Sequence, residues 1–412
     1  MCSSGRALEL LMAAIPVGDS RTVRTHRALA RAHARIAARD SVTIRTQVAV
    51  SEIAAPTGDE GDRAAWVAAR LRSLGLVDAR IDHAGNVVAS RPGTEPGAPV
   101  LVCAHLDTVF ARDVTLAFKR DGDRVIGPGI GDNGRGLAAM LAIAEEIDGR
   151  AVRTRLPVVF AATTGEEGVG DLRGAKYLFS QLRHEPVAAI ALDGAGDERI
   201  VHKALGSRRY HIAYRGVGGH SWAAFGVPNA VHATAAAAAM LAALPLPKSP
   251  RTTLSVSRIG GGRSINSIPE EGWLELDLRS TSASVLDRFD REIRIIARAA
   301  AQQENARRAT STPPLAHDVL VIGDRPSGEL SADHPLVTSA IEATQLIDRE
   351  PELAAASTDA NVPIALGIPA IAIGAGGRGG DAHTPGEWYA NVDGPLGIAR
   401  AMTIIATAAE LA

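Results

Sequence analysis

Four short, almost wholly apolar segments constrain the fold of this chain more than any other feature of its sequence. They are residues 100–104, 156–162, 187–192 and 368–373. Apolar runs of this length, bounded by turn residues, are typical of strands that are buried on both faces. We therefore predict an α/β fold with a mixed, mainly parallel sheet and helices on both faces.

Residues that can bind a metal ion follow each of these four runs. They are His105 and Asp107, then Glu166 and Glu167, then Asp193, and finally His383 beyond a glycine-rich loop. A second glycine-rich loop, residues 127–136, adds Asp132 at the start of a helix. Ligands of open α/β sheets bind beyond the carboxyl ends of the strands, so we expect these side chains to converge.

The chemistry of this set favours a transition-metal site. Two imidazoles and three or four carboxylates without cysteine suit Zn, Mn or Co better than Ca or Mg. The number of carboxylates indicates two ions with one carboxylate between them. Glu166 and Glu167 fit a pair in which one binds metal and the other accepts a proton from water. His105 and Asp107 point the same way on an extended chain, as an imidazole and its orienting carboxylate would; a capping histidine and a loop aspartate are the alternative.

Other ligand classes are disfavoured. Gly129-x-Gly131-x-x-Gly134 matches a dinucleotide-binding pattern, but a hairpin precedes it and Asp132 would lie where a pyrophosphate must sit. The formal net charge of −2 gives no reason to expect nucleic acid or an anionic membrane as partner. No apolar run approaches the length of a membrane span.

At 412 residues the chain is long enough for two domains. Residues 206–324 show the order βαββαβ with polar alternation, which predicts an inserted, antiparallel ferredoxin-like domain. The remaining parts, 46–205 and 325–412, would form the catalytic domain.

Residues 1–45 are predicted to be a partly helical N-terminal extension. Residues 7–17 are apolar but short and poorly flanked for a signal peptide. Arg27, Arg31, Arg35 and Arg39 would form one stripe of a helix, which we interpret as a solvated face, with a targeting or anion-binding arm as the alternative. The two cysteines are far apart in sequence and indicate a reducing, cytoplasmic compartment.

From about residue 48 to the C-terminus the chain resembles the M20 metallopeptidases. This family includes peptidase T-like tripeptidases, carnosinase-type dipeptidases, glutamate carboxypeptidases, aminoacylases and succinyl-diaminopimelate desuccinylases. The motifs that carry the resemblance are Ala104-His105-Leu106-Asp107-Thr108-Val109, Gly131-Asp132-Asn133-Gly134, Thr164-Gly165-Glu166-Glu167-Gly168, Gly218-Gly219-His220-Ser221, Asn266-Ser267-Ile268-Pro269 and Asp381-Ala382-His383-Thr384.

The resemblance implies a set of metal ligands. His105 and Asp193 would bind one ion, Glu167 and His383 would bind the other, and Asp132 would bridge the two. The peptide bond after Asp132 would be cis. The ions would be zinc, with cobalt or manganese as alternatives.

The resemblance also implies catalytic and substrate-binding roles. Asp107 would orient a ligating histidine, and Glu166 would be the general base. His220 would polarise the scissile carbonyl, in its own subunit or in the partner of a homodimer formed through the inserted lid domain. Asn266 and Arg279 would hold a substrate carboxylate. Arg279 also lies on the polar face of a strand whose other face carries leucines, and its guanidinium fits a carboxylate. The alternatives are that Arg279 is a surface charge and that His220 is a turn residue.

The substrate is less constrained than the site. In the family, aspartate at position 193 accompanies amino- and dipeptidases, whereas glutamate accompanies carboxypeptidases and N-deacylases. We therefore expect hydrolysis of di- or tripeptides. The alternatives are an N-acyl-amino-acid amidohydrolase, a carboxypeptidase, and an inactive metal-binding scaffold.

Overall fold

The computed structural model describes residues 20–147, 152–182 and 185–412. These residues form two compact units. Unit 1 comprises the described residues up to Ala204 together with Glu329–Ala412, and unit 2 comprises Leu205–Gly328. Our expectations for residues 1–19, including the apolar stretch 7–17, lie outside the described part of the chain.

Helices and strands alternate along most of the chain. The helices are α1 (Ser20–Ala38), α2 (Asp40–Ser51), α3 (Gly61–Ser73), α4 (Gly134–Glu146), α5 (Arg173–Ser180), α6 (Ala230–Ala242), α7 (Ala283–Asn305), α8 (Pro335–Gln345), α9 (Asn361–Ala365) and α10 (Gly394–Ala408). The strands are β1 (Val77–Ile81), β2 (Val87–Arg91), β3 (Val100–His105), β4 (Lys119–Asp121), β5 (Arg124–Ile126), β6 (Val158–Thr163), β7 (Ala188–Leu192), β8 (Arg199–Ala204), β9 (Gly206–Arg215), β10 (Gly219–His220), β11 (Thr252–Gly261), β12 (Ser267–Ile268), β13 (Glu271–Ser280), β14 (Ala316–Arg325), β15 (Gly328–Glu329), β16 (Glu352–Ala356), β17 (Ala370–Ile373), β18 (Arg378–Gly380) and β19 (Trp388–Ala390).

A nine-stranded sheet forms the centre of unit 1. Its order is β1-β2-β6-β3-β7-β17-β8-β15, with β16 paired to β8. The central strands β6, β3, β7 and β17 run parallel. Every residue of β3 is buried, because Val100 and Val102 pack into the core on one face while Leu101 and Cys103 pack into the core on the other. The predicted mixed, mainly parallel sheet is confirmed.

A smaller sheet in unit 1 supports the loop that carries His383. Its order is β18-β19-β5-β4, and it includes the hairpin predicted before the glycine-rich loop of residues 127–136. Trp388 of β19 pairs with Ile126 of β5, so the segment after His383 lies beside the segment that enters residues 127–136.

The first two helices pack onto unit 1. Leu29, Ala32 and Ile36 of α1 are buried in the same core as β3. Arg35 and Arg39 form ion pairs with two adjacent glutamates at the end of α4, whereas the two arginines before them in the stripe are exposed. Among the described residues, none of the helices combines the length and apolarity needed to cross a bilayer.

Unit 2 is an antiparallel four-stranded sheet with two helices. Its order is β11-β13-β9-β14, and α6 and α7 separate the strands in the sequence as βαββαβ. Along β13, Leu274, Leu276 and Leu278 are buried against the helices, while the residues between them are half-buried. The inserted ferredoxin-like domain is therefore confirmed.

Some elements carry no clear signal in the sequence. Strand β16 reads Glu-Leu-Ala-Ala-Ala, a composition that favours a helix, and its pairing with β8 overrides that local preference. Strand β8 mixes charged and apolar residues, so its own sequence does not predict a strand. Pairing with its neighbours in the sheet stabilises its extended conformation.

Candidate metal centre and active site

Six side chains of unit 1 that could bind a metal ion lie close to one another. They form three overlapping groups, whose ligand atoms lie within 4.8 Å of one another in each group: His105, Asp132 and Asp193; His105, Glu166 and Glu167; and Asp132, Glu167 and His383. All five residues predicted as metal ligands are among them. The convergence follows from the parallel strands, since β3, β6 and β7 all end at the same edge of the sheet.

Asp132 lies between the two histidines. Its Oδ1 is 2.9 Å from Nε2 of His105, and its Oδ2 is 3.2 Å from Nε2 of His383. Asp193 approaches His105 Nε2 at 3.8 Å, and Glu167 Oε1 approaches His383 Nε2 at 2.9 Å. Each imidazole thus has its own carboxylate, and the two share Asp132.

The electrostatics of the group favour a bound positive charge. Burial alone would lower the pKa of His105, but its carboxylate neighbours raise that pKa well above its ordinary value. The hydrogen bond to Asp132 raises the pKa of His383 to about 9. Burial raises the pKa of Glu167 to about 7. The raised pKa values of the two imidazoles show that their carboxylate neighbours favour positive charge at this place. The nitrogen and oxygen donors suit zinc, manganese or cobalt.

Asn133 ties the Asp132 loop to the end of β7. The Asp132–Asn133 peptide bond is cis, as the family resemblance implied. The Asn133 side chain caps α4 by accepting from Gly136 N at 3.0 Å, and it also accepts from Gly194 N at 3.1 Å. Its amide donates to Leu192 O at 2.9 Å. These bonds fix Asp132 relative to the segment that carries Asp193.

Asp107 contacts more than the histidine that it was predicted to orient. Nδ1 of His105 lies 3.0 Å from the Asp107 backbone oxygen and 3.6 Å from the nearer carboxylate oxygen. The carboxylate itself accepts from the backbone N–H groups of Glu166 and Glu167, both at 2.9 Å, and from the Thr57 hydroxyl at 2.9 Å. Asp107 therefore positions the loop of the two glutamates as directly as it positions His105.

Two further buried carboxylates hold the ligand loops and were not predicted from the sequence. Glu60 accepts from Gly165 N at 3.0 Å, just before Glu166. Glu387 accepts three backbone N–H groups of the Asp132 loop. The available signal for Glu387 was its place four residues after His383.

Asp359 is a third carboxylate near the centre that the sequence analysis did not identify. It is buried, and it accepts a hydrogen bond from the Thr163 hydroxyl at the end of β6 at 2.5 Å. Burial raises the pKa of Asp359 to about 6. It lies in the irregular segment between β16 and α9, where the sequence has no pattern that predicts a functional residue.

The three predicted substrate residues all lie in unit 2. His220 on β10 pairs with Ser267 on β12, and the next residue, Ser221, donates to Asn266 O at 2.9 Å, so His220 and Asn266 are neighbours. His220 is exposed, and its Nδ1 accepts from Trp222 N at 3.2 Å. Arg279 lies on a different strand, β13, where its Nε donates to Asp277 at 2.5 Å and 37% of its side chain remains exposed.

Two family profiles match the chain. The profile described as Peptidase family M28 matches residues 86–215, and the profile described as the peptidase dimerisation domain, M20_dimer, matches residues 203–305. The first match contains every proposed metal ligand except His383. The second contains His220, Asn266 and Arg279.

Known proteins extend these matches. Carboxypeptidase G2 of Pseudomonas sp. (strain RS-16) is 28% identical over 254 residues, which cover 57% of this chain and 59% of that protein, less than two thirds of its length. A tripeptidase from Staphylococcus aureus has a TM-score of 0.72 at 21% identity, covering 89% of this chain and 98% of that one. A dinuclear metal binding peptidase from the M20 family of Bacillus subtilis has a TM-score of 0.64 at 16% identity, covering 92% and 98%. At these identities the two solved structures show a shared fold.

Proposed function

We propose that this chain, which matches the Peptidase family M28 and M20_dimer profiles and resembles M20 metallopeptidases and amidohydrolases, hydrolyses an amide bond of small peptides. The reaction would take place at a centre of two divalent metal ions on unit 1, and zinc is the first choice of metal. Di- and tripeptides with free ends are the proposed substrates.

The observation that carries this proposal is the position of Asp132 between His105 and His383. Asp193 accompanies the first histidine and Glu167 the second, which provides ligands for two ions that share one carboxylate. When bound, such ions act as Lewis acids on the substrate carbonyl and lower the pKa of a coordinated water.

Glu166 is the proposed general base. It is buried beside the ligand Glu167, and its backbone N–H is held by Asp107. In this position its carboxylate accepts a proton from the attacking water and then returns it to the leaving amine nitrogen. His105 and His383 act as ligands in their neutral form.

Unit 2 is proposed to recognise the substrate. The guanidinium of Arg279 would bind the substrate carboxylate, because two parallel N–H···O bonds match the planar geometry of both groups. Asn266 would bind the same carboxylate, and the exposed imidazole of His220 would polarise the scissile carbonyl. Asp193 supports cleavage near a free amino end, as its identity in the family implies.

A second substrate class is favoured by one observation, the match to a relative named carboxypeptidase G2. On this alternative the chain cleaves a C-terminal residue or an N-acyl amino acid. Protein loaded with Zn²⁺, Co²⁺ or Mn²⁺ should be assayed with Ala- and Gly-containing di- and tripeptides and with N-acetyl amino acids. Turnover of the free peptides with release of the N-terminal residue from tripeptides supports the first proposal. Release of the C-terminal residue, or turnover of the acylated set alone, supports the second. No turnover with two ions bound would favour the scaffold function.

A homodimer through unit 2 is the proposed assembly. The family profile that matches this unit is described as a dimerisation domain. Strand β14 lies at the edge of its sheet and exposes Leu320 and Ile322, which leaves an apolar strand edge available for pairing with a second copy. Replacing both residues with lysine should convert the dimer to a monomer in sedimentation experiments, and a wild-type monomer would contradict the proposal.

A further inference from the structure

Glu387 is a buried carboxylate that the proposed reaction does not use. Its side chain is only 2% exposed. Its Oε1 accepts from the backbone N–H groups of Gly131 at 2.7 Å and Asp132 at 2.8 Å, and its Oε2 accepts from Gly129 at 3.0 Å. The Glu387 backbone oxygen accepts from Gly127 N at 2.8 Å. One residue thus binds four backbone N–H groups of the loop that carries Asp132.

The same residue ends the loop that carries His383. This loop connects β18 to β19, and two of its residues, Asp381 and His383, have φ angles of 56° and 66°. Residues other than glycine keep this left-handed conformation when the surrounding structure holds them in it. Glu387 is therefore placed to hold the His383 loop on one side and the Asp132 loop on the other.

We propose that Glu387 is a positioning residue that fixes Asp132 relative to His383 and thereby sets the affinity for the metal ion that these two residues share. The inference rests on the proposed two-ion function. Hydrogen-bond partners of metal ligands typically change metal affinity by about 10- to 100-fold.

Both carboxylate oxygens of Glu387 are needed for this role. The side chain of glutamine has the same length but offers a single acceptor oxygen, and its NH₂ group would face a backbone N–H of the Asp132 loop. Glu387→Gln should therefore displace the loop while it leaves the size of the side chain nearly unchanged. Glu387→Asp keeps the charge but is one methylene too short to reach all the donors.

The experiment is a Co²⁺ titration of metal-free full-length protein, followed by visible absorption, which resolves the two stepwise dissociation constants. Glu304→Gln is the matched control, because Glu304 is also buried and accepts a backbone N–H, from Asn229 at 2.9 Å, but belongs to unit 2. Thermal unfolding of each metal-free protein is measured in parallel.

We expect Glu387→Gln to weaken the binding of one ion by about 10- to 100-fold, to change the other less, and to melt within a few degrees of the control. Glu387→Asp should weaken the same ion and provides the test if the glutamine variant does not fold. Unchanged binding of both ions would overturn the inference, as would an equal loss of both together with a lower melting temperature. A wild type that binds fewer than two ions would overturn the proposed centre itself.

Discussion

The two units hold their proposed functional residues in different ways. In unit 1 most of these residues follow strands that are almost wholly buried, and His105 is only 2% exposed, although His383 is 52% exposed. Buried carboxylates such as Asp107 and Glu387 bind the backbone of the ligand loops. In unit 2 the strands alternate, and Arg279 and His220 lie on exposed or half-exposed positions. We infer from this difference that the proposed catalytic group of unit 1 is ordered before substrate binds, and that the substrate orders the proposed recognition group of unit 2.

This comparison predicts that substitutions of the unit 1 residues lower kcat or metal binding, whereas substitutions of Asn266 and Arg279 in unit 2 raise KM. The largest effect is expected at Glu166. Glu166→Gln should lower kcat by roughly 10²- to 10⁴-fold, because a general base contributes about that factor. Steady-state kinetics and metal analysis check this, and two ions should remain bound. Glu145→Gln, a surface glutamate paired with Arg39, is the control. Near-normal turnover of Glu166→Gln would remove its role as the base.

The next largest effect is expected at Asp107. Asp107→Asn keeps one acceptor oxygen but loses the other, so the N–H groups of Glu166 and Glu167 cannot both be held. We expect kcat to fall by about 10- to 100-fold. Thr57→Val removes the hydroxyl bond to Asp107 and a longer one to Thr108 O but keeps both Asp107 oxygens, so it should have a much smaller effect. If the two variants are equally impaired, the backbone contacts are not what matters at this position.

A change in unit 2 should affect KM instead. Arg279→Lys keeps the charge but loses the paired N–H groups, and a charge-assisted hydrogen bond is worth about 1.5–3 kcal/mol. KM for a dipeptide should rise by about 10- to 100-fold with kcat little changed. Arg258→Lys, at an exposed arginine paired with Glu275 on the same sheet, is the control. A loss in kcat alone would place Arg279 in the chemical step and break the comparison.

The smallest predicted effect concerns stability and pH. Burial of His33 on α1 lowers its pKa from 6.5 to about 4, so in acid the unfolded chain binds a proton that the folded unit 1 does not. The free energy of unfolding therefore decreases as the pH falls from about 6.5 toward about 4, and at pH 5 the decrease is about 2 kcal/mol.

In unit 2, by contrast, the ion pair with Arg279 keeps the pKa of Asp277 below its ordinary value despite burial. The stability that this ion pair contributes is therefore lost only in stronger acid.

Melting curves at pH 7.5 and pH 5 should show that His33→Gln reduces the acid sensitivity of the wild type by a few degrees. The exposed His83→Gln should not. Identical pH dependence in wild type and His33→Gln would contradict the assignment to His33.

Much of the fold of both units could be predicted because local sequence patterns indicate it. The continuous apolar runs marked the parallel strands, and the alternating leucines of β13 marked the half-exposed sheet. Most of the ligands were predictable because they follow such a run, whereas Asp132 was indicated by its glycine-rich loop and His383 by its place beyond another. Glu387 could not be found this way, since its partners Gly129, Gly131 and Asp132 lie more than 250 positions away and are backbone groups without a sequence signature.

The same limit applies to Asp107 and β16. The sequence placed Asp107 beside His105, but the partners of its carboxylate are the N–H groups of a loop about 60 positions later. Strand β16 exists because β8 supplies a partner, not because its alanines favour an extended chain.

The central claim is that two metal ions share Asp132 on unit 1. The most direct test is anomalous X-ray diffraction at the zinc edge from crystals of the zinc-loaded protein. We expect two peaks about 3.5–4 Å apart, one next to His105 and Asp193 and the other next to His383 and Glu167, with Asp132 in contact with both. A single peak, or two peaks without Asp132 between them, would contradict the claim.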